Sequence, residues 1–503
     1  MAKQKIIVLT VLVFAAALVF RFWRISEIPK SLSMDEIAVG WNAYSILKTG
    51  KDEFGVRLPL YFRSIGDYKT PVVIYLVSPS IALFGLTEFA VRFPAAILGA
   101  GTAIVFIFLL RELGISWKGS FAGGAFMAVN PWHVYLSRTS FDGIIALFFV
   151  ILATYVFVRA ARVKSVFLMT LSFITFALSV WSYHAERVFV PALVLFLIIY
   201  FKPKKLLIPI LAALMFAVPF VYATVSGPGI MARAADLWIG KEAGLTWPNQ
   251  YLNYFDLSLW FFKGLNLTLP GYPDLGFLYA VDLPVFILGI YAVVKSKSKA
   301  VKALALFWLF AGALPGSLTR GGINPGRTII WLPFFGILMA NGLEFLLEKR
   351  KKVLTGLYLL FLIWNIGYFA DVYANNFSKH YADLWHYGYK EVALYACENH
   401  SKYKKIIVTD KYGIEWPQIK TIPYLYVLFY CKWDPAIYLS DRNLFNIEFR
   451  QPQWRIDSEE NNYLLVGSRW DFPEGFPQGK IMKRIIFPNS GKEAFYFVET
   501  GVR

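Results

Sequence analysis

Asp35 and Glu36 stand side by side a few residues beyond an apolar run, Ile6 to Phe22. Carboxylates at a bilayer boundary are costly unless they face water or a polar cavity, so such a pair is by default a functional hypothesis. A second acid, Asp142, lies in NPWHVYLSRTSFDG (Asn130 to Gly143), beside His133 and Arg138. One carboxylate could deprotonate an acceptor hydroxyl while the other positions it or binds a metal. The plain alternative for Asp35 is an N-cap for the helix that follows, a role for which a second acid is unnecessary. That following segment places Ile37, Trp41, Tyr44 and Leu47 about one helical turn apart, which suits an interfacial helix.

Basic residues recur near the same boundary. Lys69 follows Tyr68 in GDYKTPVVIY, where Pro71 suits the first turn of a helix. His184 and Arg187 lie in WSYHAERVFVP, and Arg327 closes TRGGINPGR at the start of another helix, where an anion is favoured. Each alone reads as an interfacial anchor; together Lys69, Arg187 and Arg327 fit an anionic lipid headgroup. Arg92 reads equally as another such cation or as an ordinary helix-end charge. No HxxH or CxxC spacing accompanies His133 and His184, so no metal ligand is assigned and a divalent metal is left open as a cofactor. No glycine-rich phosphate loop follows a strand, and no GxSxG elbow is present.

The elements that must hold these residues are membrane helices. Hydrophobic residues make up 57% of the 503, and aromatics 18%. The net charge of +18 would suit a nucleic-acid partner, but its placement argues against one. Lys and Arg cluster in alternate gaps between apolar stretches, as at Lys202, Lys204 and Lys205, or Lys349 to Lys352, which is the positive-inside pattern. Spans are predicted near 6–22, 88–111, 119–136, 142–160, 165–182, 187–201, 205–225, 276–294, 301–316, 327–347 and 353–371. Lys3 and Lys5 before the first, with no small-residue cleavage site ahead of Arg21 and Arg24, predict a retained N-in signal anchor. Eleven spans then put the C-terminus outside. The polar, acidic and aromatic loops fall on that same outer face, an asymmetry poorly suited to a transporter, which needs access from both sides.

The expected architecture is therefore an α-helical polytopic membrane domain over 1–374, with interfacial helices in its first outer loop. A small extracytoplasmic α/β domain is expected over 375–503. There HYGYKEVALYACENH has helical periodicity, PYLYVLFY is too short to span and reads as a buried helix, and KKIIVTD, NYLLVGS, IMKRIIF and AFYFVET read as strands. Cys397 and Cys431, the only cysteines, leave a disulfide and two free thiols equally open.

These residues resemble the C-type multi-spanning glycosyltransferases that use polyprenyl-phosphate sugars, in particular the protein O-mannosyltransferase and lipid A aminoarabinose transferase superfamily. The resemblance runs through Asp35-Glu36, the stretch GKDEFG at 50–55, Lys69 with Pro71 and Tyr75, FGLTEFAVRFPAAILG (Phe84 to Gly99), Asp142 and RTIIWLP (Arg327 to Pro333). It implies that Asp35 is the catalytic base, Asp142 the second acid, and Lys69, Arg187 and Arg327 phosphate contacts. Glu36, Tyr68, His133, Arg138 and His184 join them as substrate-binding candidates. Some relatives carry a glutamate where this chain has Tyr68, which bears on any metal site there. The implied reaction is an inverting sugar transfer from a polyprenyl-phosphate donor to a hydroxyl of a lipid, glycan or protein, on the extracytoplasmic face of the cell membrane. An oligosaccharide polymerase or ligase, and a lipid or sugar flippase, are the alternatives.

Overall fold

The computed structural model describes residues 3–64, 67–226, 246–265, 267, 273–348, 351–417, 421–476, 480–488 and 490–501. Half of the predicted outer segment Ser226 to Leu275, and Asn489 of the turn between the last two strands, lie outside the described residues. The chain divides into two compact units. One holds Met1–Trp23, Asp67–Val73 and Pro94–Val372; the other holds Arg24–Gly66, Ile74–Phe93 and Tyr373–Arg503.

The first ten helices are α1 Lys3–Phe22, α2 Met34–Thr49, α3 Pro71–Phe84, α4 Glu88–Glu112, α5 Trp117–Val129, α6 Pro131–Ser137, α7 Asp142–Val163, α8 Val166–Ser182, α9 Glu186–Phe201 and α10 Leu207–Ser226. Asp282–Lys295, Lys299–Ala311, Leu332–Glu348 and Lys352–Asp371 follow; each predicted span overlaps a helix, but 119–136 is broken at Asn130 into α5 and α6, and 276–294 is helical only from Asp282. Seven of the described helical segments are long and apolar enough to cross a bilayer. Others are shorter, such as α8 and the apolar α3, which lies outside every predicted span.

In the first unit the helices approach closely where small residues allow it. A Cβ on Gly289 would strike the Leu338 carbonyl and one on Gly342 the Val285 carbonyl, so Asp282–Lys295 and Leu332–Glu348 meet backbone to backbone. Polar side chains link the bundle within the apolar interior: Ser172 Oγ of α8 donates to the Ala153 carbonyl of α7 at 2.8 Å.

The second unit is built on a five-stranded sheet. Two short strands, β1 Phe62–Ser64 and β2 Asp67–Lys69, precede it in the chain; its own strands are β3 Lys405–Val408, β4 Ile447–Phe449, β5 Tyr463–Gly467, β6 Ile481–Ile486 and β7 Glu493–Glu499. Their order is β4-β3-β5-β7-β6, with β3 parallel to β4 and β5, and β7 antiparallel to β5 and β6. β3 and β5 are apolar at nearly every position because both faces are covered. Helices Tyr389–Asn399 and Pro423–Tyr430 pack beside the sheet, and Cys397 of the first forms a disulfide with Cys431, the C-cap of the second.

The same unit takes in the first outer loop. Gly40 of α2 lies against Phe429 and Val91, where a Cβ would come within 2.7 Å of the Phe429 ring. Trp41 meets Tyr438 edge-on at 6.0 Å, and the Tyr426 hydroxyl donates to the Leu32 carbonyl at 2.8 Å. Thus Ile37 and Trp41, half of the predicted interfacial stripe, are wholly buried against protein, while Leu47 remains exposed.

The disulfide closes 34 residues of chain, which removes unfolded-state entropy equivalent to about 3–4 kcal/mol. Replacing both cysteines with serine is expected to lower the thermal midpoint and to abolish its sensitivity to reductant, both read by differential scanning fluorimetry. A midpoint indifferent to reductant in the parent protein would contradict this.

Candidate active site

Asp35 occupies the first turn of α2, and its position is fixed by its neighbours. Ser33 is the N-cap, its hydroxyl accepting from Glu36 N at 3.3 Å, while Glu36 Oε2 accepts from Ser33 N at 3.0 Å. This is a capping box, so the cap is Ser33 and Glu36 is its reciprocal partner. Glu36 is also buried against Arg92, with Nε–Oε1 at 2.9 Å. The Arg92 guanidinium donates further to the carbonyls of Ile25 (2.8 Å), Pro29 (3.0 Å) and Ser31 (2.7 Å). The whole approach to α2 therefore hangs on one buried arginine. Asp35 alone of the acidic pair presents an exposed side chain.

His386, whose role the sequence did not suggest, belongs to this neighbourhood. Its ring stacks on Tyr412 at 5.8 Å and lies 6.3 Å from Tyr426, and neither ring nitrogen has a hydrogen-bond partner. Burial pushes it down to about 4, a shift opposed by the charge of Asp35. Glu53 of the 50–55 stretch is also buried; it accepts from Tyr424 Oη at 2.9 Å and Asn42 Nδ2 at 3.0 Å, and burial raises it to about 7.

The remaining candidates lie in the first unit, where Phe141 touches two of the segments that carry them. It precedes Asp142, the half-buried first residue of α7. Its ring meets Tyr183 edge-on at 5.3 Å, and a Cβ on Gly326 would lie 2.9 Å from it. Asp142, His184 and Arg327 are thereby drawn to one locality. Lys69 joins through its neighbours: His184 Nε2 lies 3.1 Å from the Tyr68 carbonyl, and Thr70 Oγ1 donates to the Ser182 carbonyl at 2.7 Å. Arg187 lies over the Phe220 ring at 4.9 Å, and Arg327 donates to Thr319 Oγ1 at 2.7 Å and to the Arg320 carbonyl at 3.1 Å. Glu186 is buried there with neither carboxylate oxygen hydrogen-bonded, an arrangement that a bound hydroxyl or water would relieve.

His133 and Arg138 are turned to other work. Arg138 is buried and donates to the carbonyls of Phe20 (2.8 Å), Arg21 (3.2 Å) and Trp23 (2.7 Å), closing the C-terminal end of α1. His133 is buried as well, its Nδ1 2.9 Å from Arg21 Nη2. Both side chains are engaged in these contacts, and neither is given a role in the chemistry proposed below. Among the described residues no three His, Cys, Asp or Glu side chains gather as a metal site.

Residues 68–223 match the family model of dolichyl-phosphate-mannose-protein mannosyltransferases. Similarity of fold extends over the whole chain. ArnT from Cupriavidus metallidurans in the apo state aligns with a TM-score of 0.60 at 12% identity, covering 98% of this chain and 99% of that one. The chain has the C-type glycosyltransferase fold. The undecaprenyl phosphate complex of the same ArnT gives a TM-score of 0.58 at 12% identity, with both chains fully covered. The apo oligosaccharyltransferase of Archaeoglobus fulgidus gives 0.51 at 13% identity, covering 93% and 70%. By sequence, an uncharacterized protein of Aquifex aeolicus is 23% identical over 355 residues, which are 68% of this chain and 65% of that relative's length. With its apolar helices, this C-type fold makes the chain a multi-pass membrane protein.

Proposed function

We propose that the protein transfers a sugar from a polyprenyl-phosphate donor to an acceptor hydroxyl, with inversion at the anomeric carbon. The observation that carries this reading is the pair of fixed arrangements just described: an exposed Asp35 on a locked helix, and Asp142 beside Phe141, which meets Tyr183 and Gly326, the neighbours of His184 and Arg327. The family match over 68–223 and the likeness to an ArnT described with undecaprenyl phosphate support a lipid-linked donor.

Asp35 takes the proton of the acceptor hydroxyl as its oxygen bonds to the anomeric carbon. The bond from that carbon to the phosphate oxygen breaks, and its electron pair leaves with the polyprenyl phosphate. Lys69, Arg187 and Arg327 are the cations that stabilise the charge developing on the phosphate. His184 fixes Lys69 through the Tyr68 carbonyl, and Asp142 orients the sugar or acceptor hydroxyls. The positive-inside pattern supports a cytoplasmic N-terminus with Asp35 outside, and the disulfide fits an oxidising compartment.

The test incubates purified protein with radiolabelled polyprenyl-phosphate sugars and membrane extract as acceptor. Label is expected to move from at least one donor, and Lys69→Ala is expected to raise the donor KM about tenfold or more, the scale of one charge-assisted contact to phosphate. Release or transfer from none of the donors would sink the proposal. Products extended by a preassembled glycan would favour the oligosaccharide ligase instead.

A further inference from the structure

A groove of about 520 Å³ runs along α5 between α1 and Lys352–Asp371, lined almost wholly by apolar side chains such as Leu12, Phe121, Ala125 and Leu362. Only 11% of α1 and of the Lys352–Phe377 segment is buried within the protein, so both flanking helices present their sides to the bilayer. Lys5 and Lys118 mark one end. They share that end because Arg21, near the far end of α1, bonds the Ala128 carbonyl near the far end of α5. Both lysines are exposed, and neither has an ion-pair partner among the described residues.

The opposite end is already satisfied. Tyr358 Oη donates to Asp282 Oδ1, Tyr279 Oη to the Val129 carbonyl and Asn130 Nδ2 to the Phe277 carbonyl, each at 2.9 Å. From Lys118 to Asn130 the floor is about 18 Å long at 1.5 Å per residue. That is close to one leaflet of a hydrocarbon core about 30 Å thick. A nearby acid, Glu344, belongs to a separate cleft with Ser116 and Lys295.

We propose that this groove binds an anionic phospholipid, its phosphate between Lys5 and Lys118 and an acyl chain along α5. One-leaflet length favours an acyl chain over a polyprenyl tail, and paired lysines at the open end favour an anionic headgroup. The site is independent of the sugar-transfer reading, since its head lies at the α1 and α5 N-termini, away from Asp142 and Lys69 in the first unit.

Native mass spectrometry of detergent-purified protein titrated with phosphatidylglycerol, phosphatidylcholine or undecaprenyl phosphate tests it. Phosphatidylglycerol is expected to be retained in preference to both. Lys5→Gln with Lys118→Gln should lose that preference by about an order of magnitude. Ala125→Trp, a plug at an exposed floor position, should lower retention of every lipid at an unchanged thermal midpoint; Ala122→Phe serves should it unfold. Equal phosphatidylglycerol retention by parent and lysine variants, displacement by undecaprenyl phosphate, or a lipid-free dimer burying this face would each overturn the proposal.

Discussion

Asp35→Asn is expected to reduce the turnover number for sugar transfer at least a hundredfold, the scale set by loss of a general base, while the donor KM changes little. The variant should unfold at the parent temperature. Asp35 is exposed, and the helix that presents it is held by the Ser33 cap, the Glu36 carboxylate and Arg92 rather than by Asp35. Loss of one first-turn carboxylate costs only a few tenths of a kcal/mol in dipole interaction. Single-turnover transfer and a thermal melt on the same preparation separate the two effects. Parent-like turnover would remove Asp35 from the mechanism.

His386 extends that experiment. Its buried ring lies within reach of the charge of Asp35 and lacks any hydrogen-bond partner among the described residues, so the surroundings of the proposed base are set partly by a residue 351 positions away in the chain. Such pairings are invisible to periodicity, which reports only what neighbours on one element share. The spans were legible because hydrophobic length is a local property, and β3, β5, β6 and β7 because β-branched and aromatic runs between turn residues are local as well. β4 was missed: three residues at a sheet edge carry no alternation to detect.

The first outer loop shows a deeper limit. Asp35 could be singled out from its boundary position, but the role of Glu36 depended on Ser33, which caps, and on Arg92, which reads locally as a helix-end charge. The one sequence signal for Arg92 was its setting in FAVRFP, since an arginine amid apolar residues needs buried partners. Likewise His133 and Arg138 had the right types for a polar pocket, but residue type does not state direction, and both point into the bundle to satisfy α1.

Arg92→Ala is expected to be among the most destabilising single changes in the second unit, by about 3–5 kcal/mol. Its removal leaves Glu36 as a buried charge without its counterion, and also orphans the carbonyls of Ile25, Pro29 and Ser31. The ion pair itself is not the source of net stability, because desolvating two charges offsets most of their attraction; the penalty comes from leaving one behind. Arg92→Met combined with Glu36→Gln should therefore recover a substantial part of the loss, a coupling readable from a double-mutant thermal cycle. Transfer activity should fall with stability in Arg92→Ala, because the segment leading to Asp35 loses its anchor, whereas Asp35→Asn loses activity alone. Additive effects of the Glu36 and Arg92 changes, or an Arg92→Ala melt at the parent temperature, would show that the pair does not hold the base in place.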